Sequence, residues 1–203
     1  MLDTKMRAMI NSPLDQMGEY LSRARFSANA MTGFGFFLGC IACTLLSMGF
    51  GMWASVFFIC NRMADGLDGA IARVNGLTDF GGFLDIVLDF IIYAGMVFAF
   101  AVSHADIALY ASFLLLSFIP PMVTFLAFAT IAAERKWQTQ AQGKKSFYYL
   151  GGLCEGTETI IFLLMMCWFP GYFVYFSITF GLMCWLTAAG RMYEVHLMTR
   201  CIS

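Results

Sequence analysis

Six long apolar runs separated by short polar stretches set the pattern of the chain, roughly residues 30–48, 51–73, 80–103, 107–133, 148–168 and 172–195. Each approaches the length of about 20 residues that a helix needs to cross a hydrocarbon core. The pattern therefore predicts an all-α integral membrane protein with six transmembrane helices. Ahead of them, Leu14, Met17, Leu21 and Ala24 recur at helical spacing while Glu19 and Arg23 fall on other faces. That spacing predicts an N-terminal amphipathic helix lying on the membrane surface. The organisation expected is one membrane domain over 1–203, with an interfacial segment at 1–28, the six-span bundle at 29–195 and a tail at 196–203. The first 28 residues mix charges of both signs without the apolar stretch of a signal peptide, so the start of the chain is expected to stay on its own side of the membrane.

Composition agrees with the pattern. The chain is 60% hydrophobic and 12% charged, against roughly 25% charged residues in an ordinary soluble domain. A net charge of −1 and no basic stripe leave nothing for a nucleic acid to bind. Lys and Arg fall before the first span (Lys5, Arg7, Arg23, Arg25), at the end of the second (Arg73), between the fourth and fifth (Arg135, Lys136, Lys144, Lys145) and after the sixth (Arg200). The connections "MGFGM", "SHADI" and "FPGYF" have neither residue, so the positive-inside rule predicts both termini in the cytoplasm. Cys40 and Cys43 form a CxxC inside the first run with no His or second pair beside them, a packing feature rather than a zinc or redox site.

One stretch breaks the apolar pattern. Residues 61–90, "NRMADGLDGAIARVNGLTDFGGFLDIVLDF", carry Asp65, Asp68, Asp79, Asp85 and Asp89 with Arg62 and Arg73. An Asp at the centre of a membrane helix costs about 2.5–3.5 kcal/mol on insertion scales, and like charges at close range repel. Something cationic must sit among them. At 100° per residue, Asp65, Asp68, Gly69 and Ala72 share one stripe of the second span, and Gly81, Asp85 and Asp89 share one stripe of the third. The short turn "VNGLT" makes the two spans antiparallel neighbours, so the four acids are expected to face one cavity roughly 8–15 Å from the helix ends. Asp79 reads instead as a cap or first-turn acid of the third span. A cluster of carboxylates without His or Cys selects Mg²⁺, Mn²⁺ or Ca²⁺, and four of them can hold two ions, a recurrent device in phosphoryl transfer. Gly69 and Gly81 would let a bulky ligand approach the backbone, and Arg73 could clamp a phosphate. Close helix packing explains either glycine equally well.

Written out, the residues give DxxDGxxAR, seven intervening positions, and GxxxDxxxD. This resembles the signature of the CDP-alcohol phosphotransferase family, membrane enzymes of phospholipid synthesis, and eight fixed positions would coincide by chance roughly once in 10¹⁰ starting points. Asn29 and Thr32 in "SANAMTGFG" are similar to a second family feature, and "KSFYYLGGLCEGTETI" looks most like a bacterial subgroup. The resemblance implies a bacterial inner-membrane phosphatidyltransferase, commonly a homodimer. It implies Asp65, Asp68 and Asp85 as ligands of two Mg²⁺ or Mn²⁺ ions, and Asp89 as a further ligand, as the catalytic base, or as both. Asp65, Gly69, Arg73 and Gly81 would contact the CDP moiety of CDP-diacylglycerol, and a small hydroxyl acceptor would displace CMP. Arg62 lies in the same neighbourhood but outside the signature.

The acceptor side is less marked. Arg135, Lys144, Lys145 and Arg191 are candidates for drawing in a phosphorylated acceptor such as glycerol 3-phosphate, or are positive-inside anchors. Glu155 and Glu158 would place a polar face inside the fifth span, lining an acceptor pocket or serving as counter-ions for Arg62 or Arg191. Gly35 and Gly39 form a GxxxG packing motif in the first span. Two other functions remain open at this point: a divalent-cation transporter, which would need acids leading to both faces, and a non-catalytic scaffold of the same fold.

Overall fold

The computed structural model describes residues 14–134 and 154–200, and among these there are helices and no strand. We number the helices α1 (14–23), α2 (Ala28–Ser47), α3 (Gly51–Asn75), α4 (Asp79–Ser103), α5 (Ala108–Glu134), α6 (Gly156–Trp168) and α7 (Phe173–Arg200). Short 3-10 turns at Ala105–Ile107 and Pro170–Tyr172 lead into α5 and α7. Among the described residues, four segments are long and apolar enough to cross a membrane: Ala28–Ser47, Asp79–Ser103, Ala105–Glu134 and Pro170–Met198. α3 has the length, 25 residues, but its charges lower its hydropathy. α6 has only 13 residues, about 20 Å of helix.

Local chemistry sets the boundaries. Ser27 caps α2 by accepting from Ala30 N at 3.1 Å, and Thr78 caps α4 by accepting from Gly81 N at 3.1 Å, which makes Asp79 the first-turn acid. Between α3 and α4 only three residues lie outside helix, and Gly76 turns the chain at φ +102°, a conformation glycine adopts without steric penalty. Two predicted boundaries need correction. The fifth run was expected to be helical from 148, but residues 154–155 are not helical, and the lower part of that range lies outside the described residues. Glu155 is the N-cap of α6 in extended conformation, and with Glu158 it forms a capping box, Glu158 accepting from Glu155 N at 3.2 Å. Such a box satisfies the free N–H groups of a helix start, so Glu155 precedes the helix rather than adding to its polar face. The sixth run was expected to end at 195, but its helix continues to Arg200, because nothing in "HLMTR" breaks the turn.

The bundle closes on small residues. A Cβ at Gly35 would lie 3.1 Å from Ala64 Cβ on α3, and one at Gly39 would lie 2.5 Å from Ile92 Cδ1 on α4. The GxxxG pair thus seats α2 in the groove between α3 and α4. Phe58, Met96, Phe100, Leu163, Phe173 and Phe180 fill the centre, with Phe100 against Phe173 at 4.8 Å and Phe162 stacked on Phe180 at 4.6 Å. Outward-facing Phe37, Phe98, Leu109 and Leu186 are more than half exposed, as a lipid-facing surface requires.

α1 docks along the charged half of α3. Leu14 packs on Gly66, Gly18 on Ala70, and Ser22 donates a hydrogen bond to Asn75. The docked face is therefore Leu14, Gly18 and Ser22, whereas Met17 is 52% exposed. A Cβ at Gly18 would fall 2.7 Å from Ala70 Cβ and 2.9 Å from its carbonyl carbon, atoms that cannot rotate away. Overpacking of this kind costs about 1–3 kcal/mol. Gly18→Val is expected to speed trypsin cleavage at Arg23 and Arg25 in detergent while the melting of the bundle stays unchanged. Cleavage at the wild-type rate would contradict this docking.

Candidate active site

The signature residues converge beside the α3–α4 turn. Carboxylate oxygens of Asp65, Asp68 and Asp85 lie within 4.8 Å of one another. Asp65, Asp68 and Asp89 also line, with Thr32, Asn61 and Arg62, a small partly open cleft. The facing stripes expected from helical spacing therefore do meet. They meet because a three-residue turn joins α3 to α4 and because glycines let α2 pack closely against both helices.

The cation required by so many acids is Arg62. Its Nη2 donates to Asp89 Oδ1 at 2.6 Å, Nη1 donates to the Tyr93 hydroxyl at 2.8 Å and lies 3.8 Å from Asp65 Oδ2, and Nε donates to Asn61 Oδ1 at 2.8 Å. Asn61 is itself fixed, donating from Nδ2 to Gly35 O at 2.8 Å. The guanidinium carbon stands 5.0 Å from the Tyr93 ring centroid and 5.8 Å from that of Phe58, so the cation is also held against aromatic faces. The Arg62 side chain is only 10% exposed. Its acidic partners are thus Asp89 and Asp65 of the signature, where the sequence had left Glu155 and Glu158 as one alternative.

Arg62 does not satisfy every acid. Asp68 is 5% exposed, and its Oδ2 is buried without a hydrogen-bond partner. Leaving such an oxygen unmet costs upward of about 1–3 kcal/mol. A divalent cation fits that gap: three hard oxygen donors converge there, and the group contains neither His nor Cys, a set suited to Mg²⁺ or Mn²⁺.

The remaining predicted residues fall into three groups. Gly81 is packed close: a Cβ there would sit 2.9 Å from Thr78 Oγ1 and 3.1 Å from Asn29 Oδ1. Gly69 is not crowded: a Cβ there would meet Arg73 Nη1 at an ordinary 3.5 Å. Arg73 donates from Nε and Nη2 to Asp15 Oδ1 on α1, at 3.1 and 2.6 Å. Both side chains are about half exposed, so this pair is worth little to stability and serves mainly to place the guanidinium. Arg191 is buried at the α5–α7 interface, donating from Nη1 to Pro121 O at 2.9 Å with its guanidinium 5.8 Å from the Phe125 ring. Arg135, Lys144 and Lys145 lie outside the described residues. Asn61, Tyr93 and Asp15 were not singled out from the sequence. The i, i+3 spacing of Arg62 and Asp65 was the one local signal of the network.

Comparison with known proteins supplies the family. Residues 25–192 match the family model described as CDP-alcohol phosphatidyltransferase. The chain belongs to that family. It is 41% identical over 198 residues to "Inner membrane protein YnjF" of Escherichia coli (strain K12), covering 97% of this chain and 96% of that protein. It is 24% identical over 192 residues to the archaetidylinositol phosphate synthase of Pyrococcus horikoshii, covering 94% and 95%. In fold it is similar to the crystal structure of the phosphatidylinositol phosphate synthase of Mycobacterium tuberculosis with CDP-DAG bound, with a TM-score of 0.66 and 18% identity over 90% of this chain and 92% of that one. With its apolar helices and these relatives, this CDP-alcohol phosphatidyltransferase family member is a multi-pass membrane protein.

Asp68→Asn tests the cation fit without activity. Removing one of three converging carboxylates is expected to weaken Mn²⁺ binding, followed by electron paramagnetic resonance, at least about 10-fold. Unchanged binding would remove Asp68 from the ligand set.

Proposed function

We propose that this protein transfers the phosphatidyl group of CDP-diacylglycerol to a hydroxyl of a small polar acceptor, releasing CMP. The observation that carries the reading is the convergence of Asp65, Asp68 and Asp85 within 4.8 Å of one another beside Asp89, in a chain of the CDP-alcohol phosphatidyltransferase family. Asp65, Asp68 and Asp85 would hold two Mg²⁺ or Mn²⁺ ions. Bound there, the ions would neutralise the diphosphate and stabilise the leaving phosphate oxygen. Arg73, placed over Gly69 and steadied by Asp15, would meet a donor phosphate oxygen from the open side of the cleft.

Asp89 would act as base. Its carboxylate takes the proton of the acceptor hydroxyl, the hydroxyl oxygen bonds to the β-phosphorus, and the bond from that phosphorus to the oxygen of CMP breaks with the electron pair leaving on CMP. In this reading the bundle has six membrane segments, with α3 crossing despite its charges and α6 completing the sixth. Both termini face the cytoplasm of a bacterial inner membrane, the chain forms one domain, and the homodimer is the assembly its family resemblance implies. Arg135, Lys144 and Lys145 would lie on the site's side of the membrane, where a phosphorylated acceptor such as glycerol 3-phosphate arrives. Arg191, Glu155 and Glu158 are left with structural duties, an interhelix contact and a helix cap. A transporter is disfavoured because the clustered acids occupy only the half of α3 and α4 next to their turn.

Purified protein given CDP-diacylglycerol, Mn²⁺ and a panel of polyols, inositol phosphates and glycerol 3-phosphate is expected to release CMP with at least one of them. Asp89→Asn should lower that release at least about 100-fold, the usual scale of a lost general base, while CDP-diacylglycerol still binds. Folded wild-type protein that stays silent across the panel would favour a scaffold.

A further inference from the structure

Arg62 is outside the signature, yet no other side chain of the cleft has so many fixed contacts. Each nitrogen of its guanidinium is engaged by a different neighbour: Nη2 by Asp89, Nη1 by Tyr93, Nε by Asn61. Those neighbours come from both walls of the cleft. Asn61 anchors the fork to α2 through Gly35 O, and Asp89 and Tyr93 are one turn apart on α4. A planar fork held at three points cannot swing, so Asp89 Oδ1 meets a donor whose place is fixed. Arg62 meets Asp89 through Oδ1, which leaves Oδ2 for another partner.

We propose that Arg62 is a positioning residue for this reaction. It clamps Asp89 Oδ1 so that Oδ2 is presented to the acceptor hydroxyl, and it stands as the resident cation that lets Asp65 and Asp89 share the cleft before a divalent ion arrives. The inference rests on the phosphatidyltransferase reading above. Lysine cannot substitute: a single ammonium reaches one of the three partners at a time, although it keeps the charge.

The two duties separate in two measurements. Arg62→Met removes both clamp and charge. Its kcat is expected to fall about 100-fold, the scale of a misplaced reacting group, with the donor KM within about 3-fold of wild type. Its Mn²⁺ half-saturation, read by electron paramagnetic resonance without substrate, should fall at least about 10-fold, because a positive charge beside the ligands has gone. Arg62→Lys should restore the wild-type Mn²⁺ half-saturation but recover only part of the kcat. Should Arg62→Met fail to fold, Tyr93→Phe deletes one contact of the fork and is expected to lower kcat about 3- to 10-fold with Mn²⁺ binding unchanged.

A wild-type kcat in Arg62→Met, or in Tyr93→Phe if that is the variant that folds, overturns the positioning role. So does an Arg62→Lys variant with full activity. Loss of kcat accompanied by an equal loss of donor binding overturns it as well, since that marks general disruption of the cleft. Wild-type protein that binds Mn²⁺ yet never releases CMP overturns the functional reading and this inference with it.

Discussion

Carboxylates inside a bundle of apolar helices repel one another and resist dehydration, and the packing around α3 and α4 is organised by that constraint. Asp65, Asp68, Asp85 and Asp89 are brought together by a three-residue turn and by glycines that admit α2 to the groove. Arg62 offsets part of the charge, at 2.6 Å from Asp89 and 3.8 Å from Asp65. It does not reach Asp68, whose buried Oδ2 has no hydrogen-bond partner. A fold that ended with this deficit would be poorly adapted as mere structure. Removing the acids would relieve it, so their presence is better understood as a demand for a cation that arrives with function.

The same reasoning assigns duties to residues around the cluster. Asn61 and Tyr93 are not chemistry themselves; they stop the Arg62 fork from rotating, which a buried cation between two acids would otherwise do. α1 plays the corresponding part for Arg73. Gly18 brings it against Ala70, and Asp15 then reaches the guanidinium that extends over Gly69. Both arginines of the stretch are thus steadied by neighbours, one buried and fully enclosed, the other half exposed at the mouth where a donor phosphate would enter.

Much of this was legible in the sequence because it depends on periodicity. The apolar runs place α2, α4 and α5 to within two residues, and the 100° spacing puts the acids on facing stripes without any structure. The signature gives the family, which residues 25–192 bear out. What escaped depends on contacts across the chain. Arg73 and Asp15 are 58 positions apart, and Arg62 and Tyr93 are 31 apart, so no local pattern joins them. Glu155 and Glu158 misled for a different reason: in an apolar run, a pair of acids three apart reads as a polar helix face, whereas the same spacing is that of a capping box. The α6 start therefore fell inside what hydropathy alone marks as continuous helix.

The account turns on the claim that Asp68 is a liability without a divalent ion and an asset with one. Thermal melting of wild type and Asp68→Asn, each in chelator and each in excess Mn²⁺, tests this directly. The account predicts a change of order: Asp68→Asn melts above wild type in chelator, because one buried charge is gone, and below it in Mn²⁺, because a ligand is gone. Asp68→Asn melting below wild type by the same amount in both conditions would contradict it, and would make Asp68 a structural residue independent of any cation.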